Sequence, residues 1–375
     1  MNRVRGRLLV DGRLRSGTVA FAGERIESVE LDGQAGSADL PIVAPGLCDL
    51  HVHGYGGCEP TGDLAGMARA LAASGTTAFQ PTLFPAAPQA LGAAAAKVWE
   101  AAERGTDGAR VVGLHLEGPF VNPVRAGALL AGDLAQPSTE SLRAILGPAT
   151  GSGRGVRTMT LAPELAGSAE LIAELGRAGV RVSLGHSEAT AAEARAAARA
   201  GAVGATHLFN AMGPLHHREV GLAGFALAES ALFAELIGDL VHVGPDAVAL
   251  ALAARGPAGL CLVSDALGGA GTGCDRFHCN GREHLVADGA AWFGDDGERR
   301  LGGSATGQLE QVRRLVAAGV VSVEEALTMA AETPARALGL ECDLGRLAVG
   351  ARADLLELSG PELRLERVWL GGRAL

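Results

Sequence analysis

Apolar and polar positions along the chain follow two different rhythms. In "VRGRLLVDG" and "GTVAFAGERIESVEL" near the start, and in "ADLLELSG" and "LRLERVWLGGRAL" near the end, they alternate with period two. That is the pattern of strands with one buried face. Two such sets at opposite ends of the chain predict one small β-sandwich domain, built from residues 1–46 and 347–375. Between them, over residues 47–346, continuous apolar runs alternate with Ala-rich helical patterns such as "SAELIAELGRAG" and "TAAEARAAARA". The runs are "GLCDLHVHG", "TTAFQPTL", "ARVVGLHLEGP", "VRTMTLAPE", "VRVSLGHS", "GAVGATHLF", "ALFAELIGD" and "GLCLVSDA". Strands without alternation, separated by helices, imply a parallel sheet covered on both faces. Eight of them predict an α/β fold of the TIM type, a (β/α)8 barrel. After the eighth run the pattern predicts a glycine-rich loop and a helix in "ATGQLEQVRRLVAAG". A last helical segment follows, with Ser322 and Glu325 placed for a capping box.

In such a barrel the chemistry sits at the C-terminal strand ends. His51 and His53, one residue apart at the end of the first run, point to the same side of a strand. The third run ends in Glu117, the fifth in His186, the sixth in His207 and the eighth in Asp265. Any one of these is an ordinary strand-end residue. Together they form a histidine and carboxylate set suited to zinc, iron or manganese. A divalent cation lowers the pKa of water toward neutrality, which supplies a nucleophile without an activated serine. His115 falls on the same side as Glu117 by alternation and reads as a packing or supporting residue.

Composition narrows the function classes. The chain has 375 residues, 48% apolar and 20% charged, with a formal charge of −10 and no basic block. With few aromatic residues to stack on bases, nucleic-acid binding is not expected. No apolar run approaches a membrane span, and the N-terminus lacks an apolar stretch of leader length, so a cytoplasmic protein is expected. The six cysteines form no CxxC pair and read as reduced thiols, with Cys274 and Cys279 the one pair that could join. No G-x-S-x-G elbow exists, and "GAGTG" at 269–273 reads as a loop. The single lysine, Lys97, lies in a helical pattern, which removes both a P-loop and a strand-end Schiff base.

The segments "PGLCDLHVHG", "GLHLEGPF", "VSLGHSEAT", "THLFNAMGPLHHREVGLAG", "LVSDA" and "TPARALGL" with "LGRLAVGARADLLEL" resemble, in order, the N-acetylglucosamine-6-phosphate deacetylases of the amidohydrolase superfamily. The resemblance runs from about residue 40 to the end. It implies a metal-dependent barrel beside a small β-domain, in a homodimer. The implied reaction removes the acetyl group of N-acetylglucosamine 6-phosphate, giving glucosamine 6-phosphate and acetate. By motif, Glu117, His186 and His207 are the implied metal ligands, and His51 and His53 match members able to hold a second ion. Zinc comes first, with iron, manganese or cobalt as other occupants, one or two ions per subunit. Asp265 matches the catalytic aspartate that takes a proton from water and passes it to the leaving amine. Ala128, Asn210, Ala211, Arg218, His242, Leu301, Gly302 and Gly303 match substrate-binding positions. In this family part of that set comes from the partner subunit. His216 and His217 carry no matched role and read as solvated loop residues.

Two departures stand out. The family histidine that contacts the acyl carbonyl is replaced by Leu129, and the glycine of an "ADGLH" pattern is replaced by Leu240. Two alternatives therefore stay open: an amidohydrolase of another N-acyl amino sugar, or a catalytically weak homologue that binds a sugar phosphate.

Overall fold

The structure is a computed structural model, and it describes residues 1–32, 39–147, 155–294 and 298–375. Each of the eight apolar runs forms a strand. Barrel strands 1 to 8 are Leu47–Val52, Thr76–Leu83, Leu114–Glu117, Val156–Leu161, Arg181–Leu184, Ala202–Ala205, Phe233–Ile237 and Leu260–Val263. Strand 3 has a two-residue forepiece, Arg110–Val111, which also pairs with strand 2. Neighbours in sequence are neighbours in the sheet, and every pairing is parallel. Strands 1 and 8 meet at the seam. There the Asp265 N–H donates to the His51 carbonyl at 2.9 Å. The Gln308 amide donates to the carbonyls of Cys48 (3.0 Å) and Leu262 (2.7 Å), one from each side.

The absence of alternation follows from burial on both sides: every residue of Leu47–Val52 and of Thr76–Leu83 is buried. The helices outside carry narrower apolar faces. Ser168–Arg177 buries Leu171, Ile172 and Leu175 against the strands. Thr190 with Glu193, and Ser322 with Glu325, close capping boxes that fix two helix starts. Lys97 lies in the helix Pro88–Glu103 and donates to the Thr61 carbonyl, away from any barrel strand end.

The terminal strands form one seven-stranded sheet. Its order is Arg373–Ala374, Arg364–Leu370, Leu355–Ser359, Ile42–Pro45, Asn2–Val10, Arg13–Ala22 and Arg25–Leu31. Alternation decides which core each side chain joins. Leu8, Val43 and Leu355 pack with Val19, Phe21 and Leu347 on the outer face. Their neighbours Leu9, Ile42 and Leu356 turn the other way and join the barrel core. All six cysteines are free thiols.

One expectation was wrong. The stretch after strand 8 is not only a glycine-rich loop. Arg276–Cys279, Arg282–Ala287, Ala290–Phe293 and Arg300–Ser304 form a four-stranded antiparallel sheet. Its first two turns are Asn280–Gly281 and Asp288–Gly289, all four residues at positive φ (+47°, +70°, +56°, +87°). Asn-Gly and Asp-Gly are the strongest short hairpin signals, because these residues tolerate the left-handed turn that a twisted two-stranded ribbon needs. The glycine count masked them.

Candidate functional site

The strand ends place five ligand-type side chains around one point. Glu117 is central. Its Oε1 lies 3.0 Å from both His186 Nε2 and His207 Nε2, and its Oε2 lies 3.2 Å from His53 Nε2. His51 Nε2 is 3.2 Å from His53 Nε2 and 3.6 Å from Glu117 Oε1. Two groups can therefore each hold an ion, Glu117 with His186 and His207, and His51 with His53 and Glu117. Glu117 is common to both.

The surroundings fix which nitrogens carry protons. His186 Nδ1 donates to the Arg125 carbonyl at 2.8 Å, which aims its Nε2 at Glu117. His51 Nδ1 donates to Glu235 Oε2 at 3.0 Å. Burial holds His51 well below its ordinary pKa, which favours the neutral ring. His186 Nε2 lies 3.1 Å from His207 Nε2, and His51 Nε2 lies 3.2 Å from His53 Nε2, with Glu117 against both pairs. The Nδ1 atoms of His53 and His207 are buried without a hydrogen-bond partner among the described residues. This converging set of histidine nitrogens and carboxylate oxygens fits a divalent cation.

Asp265 follows strand 8 with its Oδ1 3.5 Å from His51 Nε2 and 3.7 Å from His53 Nε2. Its backbone is pinned on both sides, N–H to the His51 carbonyl and C=O to the Ser304 N–H. Burial, and after it the nearby Glu117 carboxylate, push the Asp265 carboxyl well above its usual range. A cation beside it acts in the opposite direction. His186, His207 and Asp265 all adopt positive φ (+48°, +29°, +48°), as do Phe209, Ala211 and Leu240 nearby. Non-glycine residues in this region cost about 1–3 kcal/mol each and gather at functional sites. Leu240, at +63°, sits in the left-handed region that favours glycine.

A cavity of about 170 Å³ opens over the cluster. His53, Glu117, His186, His207 and Asp265 form its floor, while His51 lies beneath, fully buried. Ala128, Asn210, Ala211, His242, Leu301, Gly302 and Gly303 line its walls. So does Leu129, which is 4% exposed and forms an apolar side together with Phe84 and Leu301. Arg218 is the expected site residue that the chain does not bring to its own cavity. It is exposed, with Nη1 3.0 Å from His217 Nε2, on a segment where His216 and His217 are also exposed.

Several supporting residues were not foreseen. Glu235 holds His51. Asp239 accepts from His242 Nδ1 at 2.7 Å and so turns the other imidazole nitrogen free. Phe84 stacks on His53 with ring centroids 3.8 Å apart. His115, expected as a packing or supporting residue, is held between Thr82 and Thr160 (3.2 and 2.8 Å) and stands edge-on to His51, with burial pushing its pKa down to about 3. Glu235 did leave a signal: it is a carboxylate in the middle of the apolar strand Phe233–Ile237, and a buried charge needs a partner.

The profile of the amidohydrolase family matches residues 42–375. Over 343 residues, 88% of this chain and 82% of the relative, it is 36% identical to an N-acetylglucosamine-6-phosphate deacetylase of Mus musculus. Over 379 residues, 99% of this chain and 98% of the relative, it is 33% identical to an N-acetylgalactosamine-6-phosphate deacetylase of Escherichia coli O157:H7. Among solved structures, it superposes with a TM-score of 0.87 at 32% identity on an N-acetyl-D-glucosamine-6-phosphate deacetylase from Mycobacterium smegmatis. That protein is an aspartate-to-alanine variant in complex with N-acetyl-D-glucosamine-6-phosphate, and the match covers 99% of this chain and 98% of that one.

Proposed function

We propose that this chain, which belongs to the amidohydrolase family, is a metal-dependent hydrolase of the N-acetyl group of N-acetylglucosamine 6-phosphate. The products are glucosamine 6-phosphate and acetate. The observation that carries the reading is the sharing of Glu117 between two histidine groups, with Asp265 beside them at the floor of one cavity.

Glu117, His186 and His207 would hold one divalent ion, zinc by preference, and His51, His53 and Glu117 would hold a second. When bound, the ions polarise the acyl carbonyl and make water acidic enough to attack it near neutral pH. Asp265 accepts the proton of the attacking water as its oxygen bonds to the acyl carbon. It then delivers that proton to the amide nitrogen as the C–N bond breaks, because an unprotonated amine is a poor leaving group. Glu235 and the Arg125 carbonyl keep His51 and His186 in the tautomers that present Nε2. His242, oriented by Asp239, joins Asn210 and Ala211 in binding the phosphate. Leu301, Gly302 and Gly303 contact the sugar, and Ala128 sits beside the acyl group. The protein is a cytoplasmic homodimer, and the exposed Arg218 reaches the phosphate in the partner's cavity, where a guanidinium fork suits phosphate oxygens.

The test is acetate release from N-acetylglucosamine 6-phosphate, N-acetylgalactosamine 6-phosphate and unphosphorylated N-acetylglucosamine. The expected order places the gluco-phosphate first, with kcat/KM lower by about 10²-fold or more without phosphate. Equal turnover of the unphosphorylated sugar would remove the phosphate-binding assignments.

Leu129 calls for a second experiment. A lost donor to a developing oxyanion costs about 10²–10³-fold where nothing replaces it. Here His51 and His53, with Glu117, would hold a second cation, which would polarise the carbonyl in place of that donor. Leu129→His is therefore expected to change kcat on the acetylated sugar phosphate by less than about tenfold. A rise of two orders of magnitude would show that the missing donor limits the rate.

A further inference from the structure

The end of the barrel opposite the cation cluster holds a cavity of about 450 Å³. Its walls come from the starts of three adjacent barrel strands, where Arg110, Arg157 and Arg181 converge, with Trp99 at one side. Among the described residues, no aspartate or glutamate lines it. Arg110 has a partner outside the cavity, Asp343 at 2.6 Å, which it shares with Arg25. Arg157 spends one nitrogen on the Leu338 carbonyl at 2.7 Å. Arg181 is half-buried and has no hydrogen-bond acceptor among the described residues, although Glu341 acts on it at longer range. The three charges also repel one another. Burial and then Arg110 lower the Arg157 pKa; burial and then Arg157 lower that of Arg181.

The space is shaped by the backbone. Gly155, at φ +75°, lies under the Trp99 indole, where a Cβ would come within 2.0 Å of the ring. Gly113, at φ +117°, would bring a Cβ within 2.5 Å of Arg157 Cβ. Both arms thus lie flat against glycine, which leaves the cavity between them open.

Half-buried guanidinium groups such as Arg157 and Arg181, with no carboxylate in hydrogen-bond reach among the described residues, are costly. We infer that this cavity is a second anion site, distinct from the substrate cavity, and that it takes a phosphoryl oxyanion of a small metabolite. Planar guanidinium forks on Arg157 and Arg181 bind such oxygens in pairs. The inference does not depend on the proposed reaction, because none of these residues reaches the cation cluster.

The test uses the metal-loaded protein at constant ionic strength, titrated with inorganic phosphate while tryptophan emission is read. Trp99 lines the cavity, so a saturable change is expected, and Trp99→Phe should abolish it. Calorimetric Tm shifts with phosphate give an independent reading if the emission is silent. Arg181→Gln and Arg157→Gln should each raise the midpoint by about tenfold or more. Both should leave kcat for deacetylation unchanged, and Arg218→Gln should leave the midpoint unchanged. The inference is overturned if neither emission nor Tm responds. It is equally overturned if the response is lost in Arg218→Gln and kept in Arg181→Gln, since the phosphate would then be seated in the substrate cavity.

Discussion

Asp265→Asn is expected to lower kcat for acetate release from N-acetylglucosamine 6-phosphate by about 10²–10⁴-fold, the range that positioned proton transfer supplies. KM should change little. The substitution keeps the shape of the side chain and both backbone hydrogen bonds that pin this residue, to His51 and Ser304. What it removes is the ability to accept a proton from water and return it to the departing nitrogen. Burial and neighbouring carboxylates already make Asp265 hold its proton more tightly than a free aspartate. A cation beside it offsets part of that, leaving a group able to serve as base in one step and acid in the next. Metal content of the variant should match the wild type, because the five ligand-type side chains are untouched. A variant that keeps its rate within about tenfold would show that proton transfer does not pass through Asp265.

The other large effect is expected at Glu117. Its Oε1 faces His186 and His207, with His51 at 3.6 Å, and its Oε2 faces His53, so Glu117→Gln removes one anionic ligand from both candidate ion positions at once. An amide offers one oxygen and no charge. Bound metal per subunit should fall to a small fraction of the wild-type value in both positions, and acetate release should fall with it. By contrast, His53→Gln should weaken only the position formed with His51. The fold should survive Glu117→Gln. Glu117 stands at the end of its strand, and the apolar residues Leu114 and Leu116 of that strand lie in the barrel core. If Glu117→Gln binds metal and turns over as the wild type does, the shared-carboxylate reading fails.

Much of this was legible because barrels have strict periodicity. Eight apolar runs became eight strands, and the residues closing runs 1, 3, 5, 6 and 8 came together because parallel strands all end on one face. The terminal strands were readable from alternation, and Leu8 and Leu9 show why: adjacent residues serve different cores. The sheet at 276–304 was missed although its Asn-Gly and Asp-Gly turns stood in the sequence; they were read as part of a glycine-rich loop. Glu235, Asp239 and Phe84 were missed for another reason. Glu235 and Phe84 act on His51 and His53 across long stretches of chain, and Asp239 acts on His242 three residues on, in a loop whose geometry the apolar pattern does not report. Arg218 was placed by motif, and the single protomer leaves it in solvent. The arginine cavity was hidden in three separate strand starts, each with one ordinary arginine.

The measurement that tests the account most directly follows acetate release from N-acetylglucosamine 6-phosphate through one cycle of metal removal and return. The purified protein is assayed as isolated, after chelation, and after zinc is restored, with bound metal counted at each stage and Asp265→Asn carried alongside. The account predicts activity that disappears with the metal, returns with it, and stays low in Asp265→Asn at full metal content. Acetate release that persists in chelated protein, or its absence from fully loaded wild type, would contradict it.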